Sequence, residues 1–355
     1  MRPFVYTASA TRVIFGPGVI ERLPEEMDRL GFKRILVVAA PSAVSQLRST
    51  ILGLEDRVVG VFDRPVPHVP ISVAEEARQL AQTLGADSCL AIGGGSSIGL
   101  GKAIALTSGL PLAAVPTTYA GSEMTSVYGI TDGGLKHTGR DPRVQPRTVL
   151  YDPMLTVSLS PALSASSGMN SIAHCVEALY AQDGNPVVSL IAEEGIRAFA
   201  SALPRVVTSP DDENARTLAL YGAWLAGSAL GSTTMALHHK VCHVLGGSFN
   251  LPHALMHSIV LPHATKYNRD AAPEAMTRIA RALDCGDAPT GLYMLAERLR
   301  LPLSLASIGM PESGLEAAAR QITSAPYPNP AALTFSDVFA LLRAAFVGEA
   351  PTLDA

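Results

Sequence analysis

Cys89-Leu90-Ala91-Ile92-Gly93-Gly94-Gly95-Ser96-Ser97-Ile98 is the stretch whose reading decides the fold. An apolar run of strand length ends in glycines and serines, and residues 98–108 then carry a helical pattern. A buried strand feeding a helix through a glycine turn is the unit of a parallel sheet. Free N–H groups and the positive end of the helix could hold a pyrophosphate there, while a tight strand-to-helix turn with no ligand explains the same glycines. The spacing is not Gly-x-Gly-x-x-Gly, and the loop does not follow the first strand.

Outward from this unit the pattern repeats. Residues 35–38, 58–62 and 112–115 read as strands, and 42–52 and 72–84 as helices, the second opened by a Ser72/Glu75 capping box; Val149-Leu150-Tyr151-Asp152-Pro153 closes the α/β half. The next strand end carries Pro116-Thr117-Thr118 and then Gly121-Ser122-Glu123. Ligands of open α/β sheets lie at the carboxyl ends of strands, so two successive small, hydroxylated ends favour a shared nucleotide ligand. Gly94, Gly95, Ser96, Thr117, Thr118 and Ser122 are the candidate cofactor-binding residues. No acid follows the strand at 35–38, where Ala39-Ala40-Pro41-Ser42 stands; an acid there would bind the adenosine ribose and exclude a 2′-phosphate. Either NADH or NADPH is therefore expected. Arg140, Arg143 and Arg147 fall in a turn-rich segment and read as surface hairpin residues more readily than as an anion site.

From Ser160-Pro161 onward, alanine- and leucine-rich helical patterns take over, at 186–202, 214–230, 273–284, 288–300 and 335–347. The expected architecture is an α/β nucleotide-binding domain over 1–155 and an all-helical domain over 156–355. Six of the nine histidines fall within 238–263. His239 and His243 are four apart and share a helix face, with Gly246-Gly247 expected to end that helix and Pro252 to open another bearing His253 and His257. Upstream, Asn170 and His174 share a face by the same spacing. Such a concentration admits a metal site built from imidazoles, or a metal-free site using imidazole as proton donor.

At 355 residues, 48% hydrophobic and 16% charged, the chain is long enough for two cored domains. Its net charge of −4 offers no basic surface for nucleic acid. The start, Met1-Arg2-Pro3-Phe4-Val5-Tyr6, lacks a basic segment followed by an apolar run, so a soluble cytoplasmic protein without membrane partners is expected. Cys89, Cys175, Cys242 and Cys285 form no Cys-x-x-Cys pair and read as reduced, buried thiols.

The order of triglycine-serine loop, Pro-Thr-Thr, Asp152-Pro153, Gly168-Met169 followed by His174, and His239-x-x-x-His243 through Pro252-His253 resembles the iron-dependent (group III) alcohol dehydrogenase superfamily. That resemblance implies an α/β domain, a helical domain and an active site in the cleft between them, as in the dehydroquinate synthase-like fold. It implies metal ligands at an aspartate and three histidines, positions that hold Asn170, His174, His239 and His253 here. Asn170 removes the anionic ligand, and no metal is expected. Gly93 to Lys102, His238 to Phe249 and Lys136 to Asp141 look like the maleylacetate reductases of that superfamily, although Asn329-Pro330 is followed by Ala331-Ala332 where Arg-Pro belongs to the pattern.

The resemblance implies NAD(P)H-dependent reduction of the enone double bond of maleylacetate, a small dicarboxylate, by a homodimer. Within it, His243 and His253 are the expected catalytic residues, and Asn170, His174, His239 and Lys240 the expected substrate-binding ones. A metal-dependent alcohol dehydrogenase, a non-redox lyase of the same fold and a non-catalytic metal-binding module are the competing readings.

Overall fold

The computed structural model describes residues 3–46, 53–54, 56–133 and 135–352. It divides into two compact units: Ala8–Leu159, and Ser160–Ala355 together with Met1–Thr7.

The first unit is built on a parallel sheet. Its strands are β1 (Arg12–Phe15), β2 (Ile35–Ala39), β3 (Val58–Phe62), β4 (Ser88–Gly93), β5 (Leu112–Pro116) and β8 (Thr148–Tyr151), ordered β1-β8-β5-β4-β2-β3. β2, β4, β5 and β8 are buried along their whole length, which is why they read as continuous apolar runs rather than alternating ones. Among the described residues, the α-helices of this unit are α1 (Leu23–Leu30), α2 (Pro41–Gln46), α3 (Ile71–Thr83) and α4 (Gly95–Ser108). Residues 47–52 of the expected helix 42–52 lie outside the described residues.

The chain leaves β2 toward β3 and leaves β4 in the opposite direction toward β5, so strand order reverses between β2 and β4. That switch point is where an open α/β sheet binds its ligand. Three expectations need correction or addition. Ser72 and Glu75 do not form a capping box: Pro70 is the N-cap of α3, which puts Ser72 inside the helix with no side-chain cap bond. Edge strand β1 has no long apolar run and was not expected. β6 (Val127–Asp132) and β7 (Leu135–Arg140) form a separate antiparallel hairpin. Arg140 ends β7 and Arg143 is held by Asp141 at 2.6 Å, in accord with the surface reading of those arginines.

The second unit contains α5 (Pro161–Tyr180), α6 (Pro186–Thr208), α7 (Glu213–Ser232), α8 (Leu237–Phe249), α9 (His253–Tyr267), α10 (Pro273–Leu283), α11 (Ala288–Arg298), α12 (Leu315–Ile322) and α13 (Phe335–Val347). Ser160, Asn185, Asp212, Asp287 and Thr334 cap α5, α6, α7, α11 and α13 with side-chain oxygens. α12 was not anticipated, because eight residues give too short a periodic run.

Gly246-Gly247 do not end α8. The helix runs through them to Phe249 and stops at Asn250, whose φ of 52° is the left-handed turn of a C-cap. Leu237, Val241, Cys242, Val244 and Leu245 of α8 pack with Met256, Ile259, Val260 and Ala264 of α9 and with α12 and α13 in one apolar cluster. Burial of this size is what holds a histidine-rich pair of helices together. Among the described residues no helix is long and apolar enough to cross a membrane.

Candidate active site: a nucleotide loop and an imidazole cluster

The loop after β4 is shaped by its glycines. Gly93 has φ +138°, and a Cβ there would meet Ser97 Oγ at 2.6 Å. A Cβ on Gly94 would meet Thr118 Cγ2 at 2.8 Å, so the absence of side chains lets the ends of β4 and β5 come together. Gly95 differs: a Cβ there would meet nothing within 4 Å, and the residue is exposed. Gly94 is the N-cap of α4 and no side chain caps the helix. The first turn of a fourteen-residue helix therefore points uncapped N–H groups and positive dipole toward open space, the requirement for an anion such as a pyrophosphate.

Thr117 and Thr118 follow β5, whose Pro116 pairs with Gly93 across the sheet, and the Thr117 amide donates to Gly93 O at 3.0 Å. Gly94, Gly95, Ser96, Thr117 and Thr118 thus occupy neighbouring strand ends. Ser122 belongs to the turn beyond, which is fixed from below by a residue not singled out in the sequence. Lys102 of α4 is fully buried, and its Nζ donates to Ser122 O (2.6 Å), Val127 O (2.7 Å), Thr125 O (2.8 Å) and Thr125 Oγ1 (2.9 Å). Burial pushes the ammonium down to about 7, opposed by the nearby Glu123 carboxylate and reinforced by Arg140. Glu123 in turn accepts the Tyr151 hydroxyl at 2.7 Å, tying the same turn to the end of β8.

In the helical unit, Asn170 and His174 lie on α5, His239, Lys240 and His243 on α8, and His253 at the start of α9. The rings form a continuous set. His174 stacks on His239 with centroids 5.1 Å apart, His239 lies 6.4 Å from His243 and 5.3 Å from His257, and His257 lies 4.3 Å from His253. His174 and His239 are buried, while His243 and His253 are exposed. Burial, then the neighbouring His239 and His253, hold His174 well below the ordinary imidazole range, so it is neutral near pH 7. Lys240 is placed differently: its Nζ lies 5.8 Å over the Tyr327 ring.

The organising group is a carboxylate that sequence reading passed over. Glu177, fully buried on α5, accepts the backbone N–H groups of Ala236 (2.8 Å) and His238 (2.7 Å) and faces His239 Nδ1 at 2.7 Å. A carboxylate from α5 thereby caps the N-terminus of α8, where Ala236 has no side-chain oxygen of its own. With Nδ1 donating to Glu177, His239 turns Nε2 toward the cluster, and that atom has no hydrogen-bond partner among the described residues. Asn170 Oδ1 and His174 Nδ1 are likewise buried without a partner. The signal was present: Asn170, His174 and Glu177 are spaced i, i+4, i+7.

A model of the iron-containing alcohol dehydrogenase family matches residues 10–153, and one of the Fe-containing alcohol dehydrogenase family C-terminal domain matches residues 164–346. The chain belongs to the iron-containing alcohol dehydrogenase family. Among curated proteins it is 54% identical to the maleylacetate reductase of Burkholderia cepacia, over 99% of this chain and 100% of that protein. It is 49% identical to that of Sphingobium indicum, over 98% and 99%. The crystal structure of maleylacetate reductase from Agrobacterium tumefaciens superposes with a TM-score of 0.95 at 43% identity, covering 99% of this chain and 100% of the other. Parallel sheet and helical unit are the architecture of this family.

The family's name implies iron, and the residues at the expected ligand positions lack its anionic ligand. The aspartate position holds Asn170, a neutral amide. Glu177, the acid bonded to His239, has its oxygens spent on two backbone N–H groups and that ring. Among the described residues the side chains whose donor atoms converge as metal ligands are His238, Cys242 and His257, not His174, His239 and His253. A divalent cation at the latter three would find imidazoles and no anionic side chain to ligate it directly.

Proposed function

We propose that this protein reduces the carbon–carbon double bond of maleylacetate, giving 3-oxoadipate, with NADH or NADPH as hydride donor and without a metal ion at the reaction centre. Full-length identity of 54% to a maleylacetate reductase supports the substrate. The observation that carries the metal-free chemistry is the donor set of the imidazole cluster, in which Asn170 stands where an anionic ligand is needed and Glu177 is already consumed.

The substrate is an enone with a carboxylate at each end. Hydride adds to the alkene carbon β to the ketone, the π electrons move onto the ketone oxygen as an enolate, and the α carbon then takes a proton. The α4 N-terminus and its open face at Gly95 suit the cofactor pyrophosphate. The absence of an acid after β2, where Ala39-Ala40-Pro41 leads into α2, leaves a 2′-phosphate unopposed and suits both cofactors.

Stabilising the enolate and delivering the proton fall to imidazole. His243 and His253 are solvent-exposed and can exchange protons with water, which suits His243 as main donor and His253 as second. His239, held through Nδ1 by Glu177, offers Nε2 to a substrate carboxylate or to the enolate, as an N–H donor when protonated. His174 stacks on it, Asn170 lies one turn before His174 on α5, and the amide nitrogen of Asn170 can donate where aspartate would repel a dianion. Lys240, over Tyr327, supplies positive charge at the flank of α8. The protein is proposed to act as a cytoplasmic homodimer with domains over 1–155 and 156–355.

The test is oxidation of NADH and of NADPH by maleylacetate before and after exhaustive chelation. Turnover that survives chelation supports the reading. Turnover lost on chelation and restored by iron or zinc would replace it with metal-dependent reduction.

A further inference from the structure

α8 and α9 carry a second constellation that shares no residue with the expected ligand positions 170, 174, 239 and 253. His238 and Cys242 are four apart on one face of α8, and His257 comes from α9. All three are buried, at 0%, 1% and 1% exposure. His238 Nε2 lies 3.0 Å from His257 Nδ1 and 3.8 Å from Cys242 Sγ, and the three donor atoms fall within 4.8 Å of one another.

We propose that His238 Nε2, Cys242 Sγ and His257 Nδ1 form a binding site for a thiophilic d10 cation, zinc, whose role is to pin α8 to α9 rather than to act on substrate. Zinc ligated at about 2.0–2.1 Å by nitrogen and about 2.3 Å by sulfur sets tetrahedral N···N near ~3.3 Å and N···S near ~3.6 Å. The two spacings of His238 Nε2, 3.0 Å to His257 Nδ1 and 3.8 Å to Cys242 Sγ, are within a few tenths of an ångström of these, and Cys242 Sγ and His257 Nδ1 lie within 4.8 Å of each other, so side-chain rotations that draw the sulfur toward His257 complete the site. Two imidazoles and a thiolate without a carboxylate select zinc over hard cations such as magnesium, calcium or manganese.

The protonation balance closes. Cys242 gives its thiol proton to solvent as the Zn–S bond forms, and the thiolate cancels one of the two cationic charges. The ring that donates in the His238–His257 hydrogen bond shifts its proton to its other nitrogen, leaving both rings neutral. Glu177, bonded to the His238 backbone N–H and to the neighbouring His239, supplies the second compensating charge nearby. Without a cation, one shared proton is all that links the two rings, and His238 Nδ1 and His257 Nε2 have no partner among the described residues.

This inference concerns cation binding and is read independently of turnover. The full-length protein is stripped by chelation and titrated with Co2+, and the protein as isolated is examined by X-ray absorption at the zinc edge. Expected are saturation at one equivalent, an intense near-ultraviolet thiolate-to-cobalt band, loss of that band in C242S, retention in H174A, and a zinc shell containing one sulfur. A nitrogen/oxygen-only zinc shell, or cobalt binding with no thiolate band that disappears in H174A, would overturn the site, moving the cation to the imidazole cluster in the second case. No cation bound in either measurement would reduce the trio to a hydrogen-bonded imidazole pair. Because the absorption measurement uses the unmodified chain, poor folding of C242S leaves the proposal open to refutation.

Discussion

Glu177 Oε2 faces His239 Nδ1 at 2.7 Å while the same carboxylate holds the first turn of α8, so the orientation of one ring and the capping of its helix are a single interaction. Glu177→Gln should break both. An amide can accept one N–H but turns its own donors toward another, leaving buried donors unmatched at about 1–3 kcal/mol each. We expect stability to fall by about 2–4 kcal/mol on that basis, and turnover by roughly tenfold or more as His239 loses its fixed tautomer. Urea unfolding and kcat measured side by side check this; a variant with wild-type stability and turnover contradicts the assignment.

Gly95→Ala separates ligand binding from folding. The added methyl meets no protein atom within 4 Å, and alanine is the better helix residue, so the unfolding midpoint should hold or rise slightly. If a pyrophosphate lies against this turn, the methyl intrudes on it, and NADH and NADPH should bind about tenfold or more weakly, since ~1.4 kcal/mol is a factor of ten. Cofactor affinity by fluorescence titration, unchanged in the variant, would remove the phosphate from α4.

Much of this was readable from the chain. The buried strands β2, β4 and β5 and the helices α6, α7 and α13 announced themselves through apolar runs and alanine- and leucine-rich helical patterns, which are local signals. What escaped depends on partners distant in sequence. Glu177 caps a helix that begins sixty residues later. Lys102 looked like an ordinary helix position until Ser122, Thr125 and Val127 closed on it. Gly246-Gly247 gave the wrong end for α8 because tertiary packing of Leu245 and Met256 carries the helix past them. The histidines were visible as a cluster, but their division into exposed His243 and His253 and buried His174, His238, His239 and His257 was not.

Asn170→Asp restores the missing anion. One turn from His174 on α5, an aspartate brings the anionic ligand that a divalent cation in the imidazole cluster lacks. Cobalt(II) titrated into N170D should show a new binding event without a thiolate band, and the KM for maleylacetate should rise about tenfold, a ~1.4 kcal/mol cost of setting a carboxylate against a dianion. Wild-type metal affinity in N170D would show that the amide is not what keeps the cation away.

His243→Ala tests the proton donor. Loss of a positioned proton donor typically costs roughly 10²–10⁴-fold, and kcat should fall within that range while the cofactor dissociation constant changes little. His253→Ala should have the smaller effect. Near-normal turnover in H243A with a large loss in H253A would exchange the two roles.

Stability should decline as pH falls from about 6.5, before most carboxylates titrate. His174, His238 and His257 are held well below the ordinary imidazole range by burial first and by neighbouring histidines second, and burial pushes His263 down to about 4, with Lys266 adding to it. A histidine lowered on folding is neutral in the native state and takes up a proton only when the chain unfolds. Its contribution is therefore complete above the unfolded value near 6.5 and is lost as pH drops through the window down to the folded value. His263 alone, at about 4 against 6.5, carries on the order of 3 kcal/mol that is mostly gone by pH 4. Urea midpoints at pH 7.5, 6.5, 5.5 and 5 should fall continuously below the second of these, with proton uptake on unfolding approaching several per chain. A flat midpoint from pH 7.5 to 5 would mean that these rings are already protonated in the folded protein.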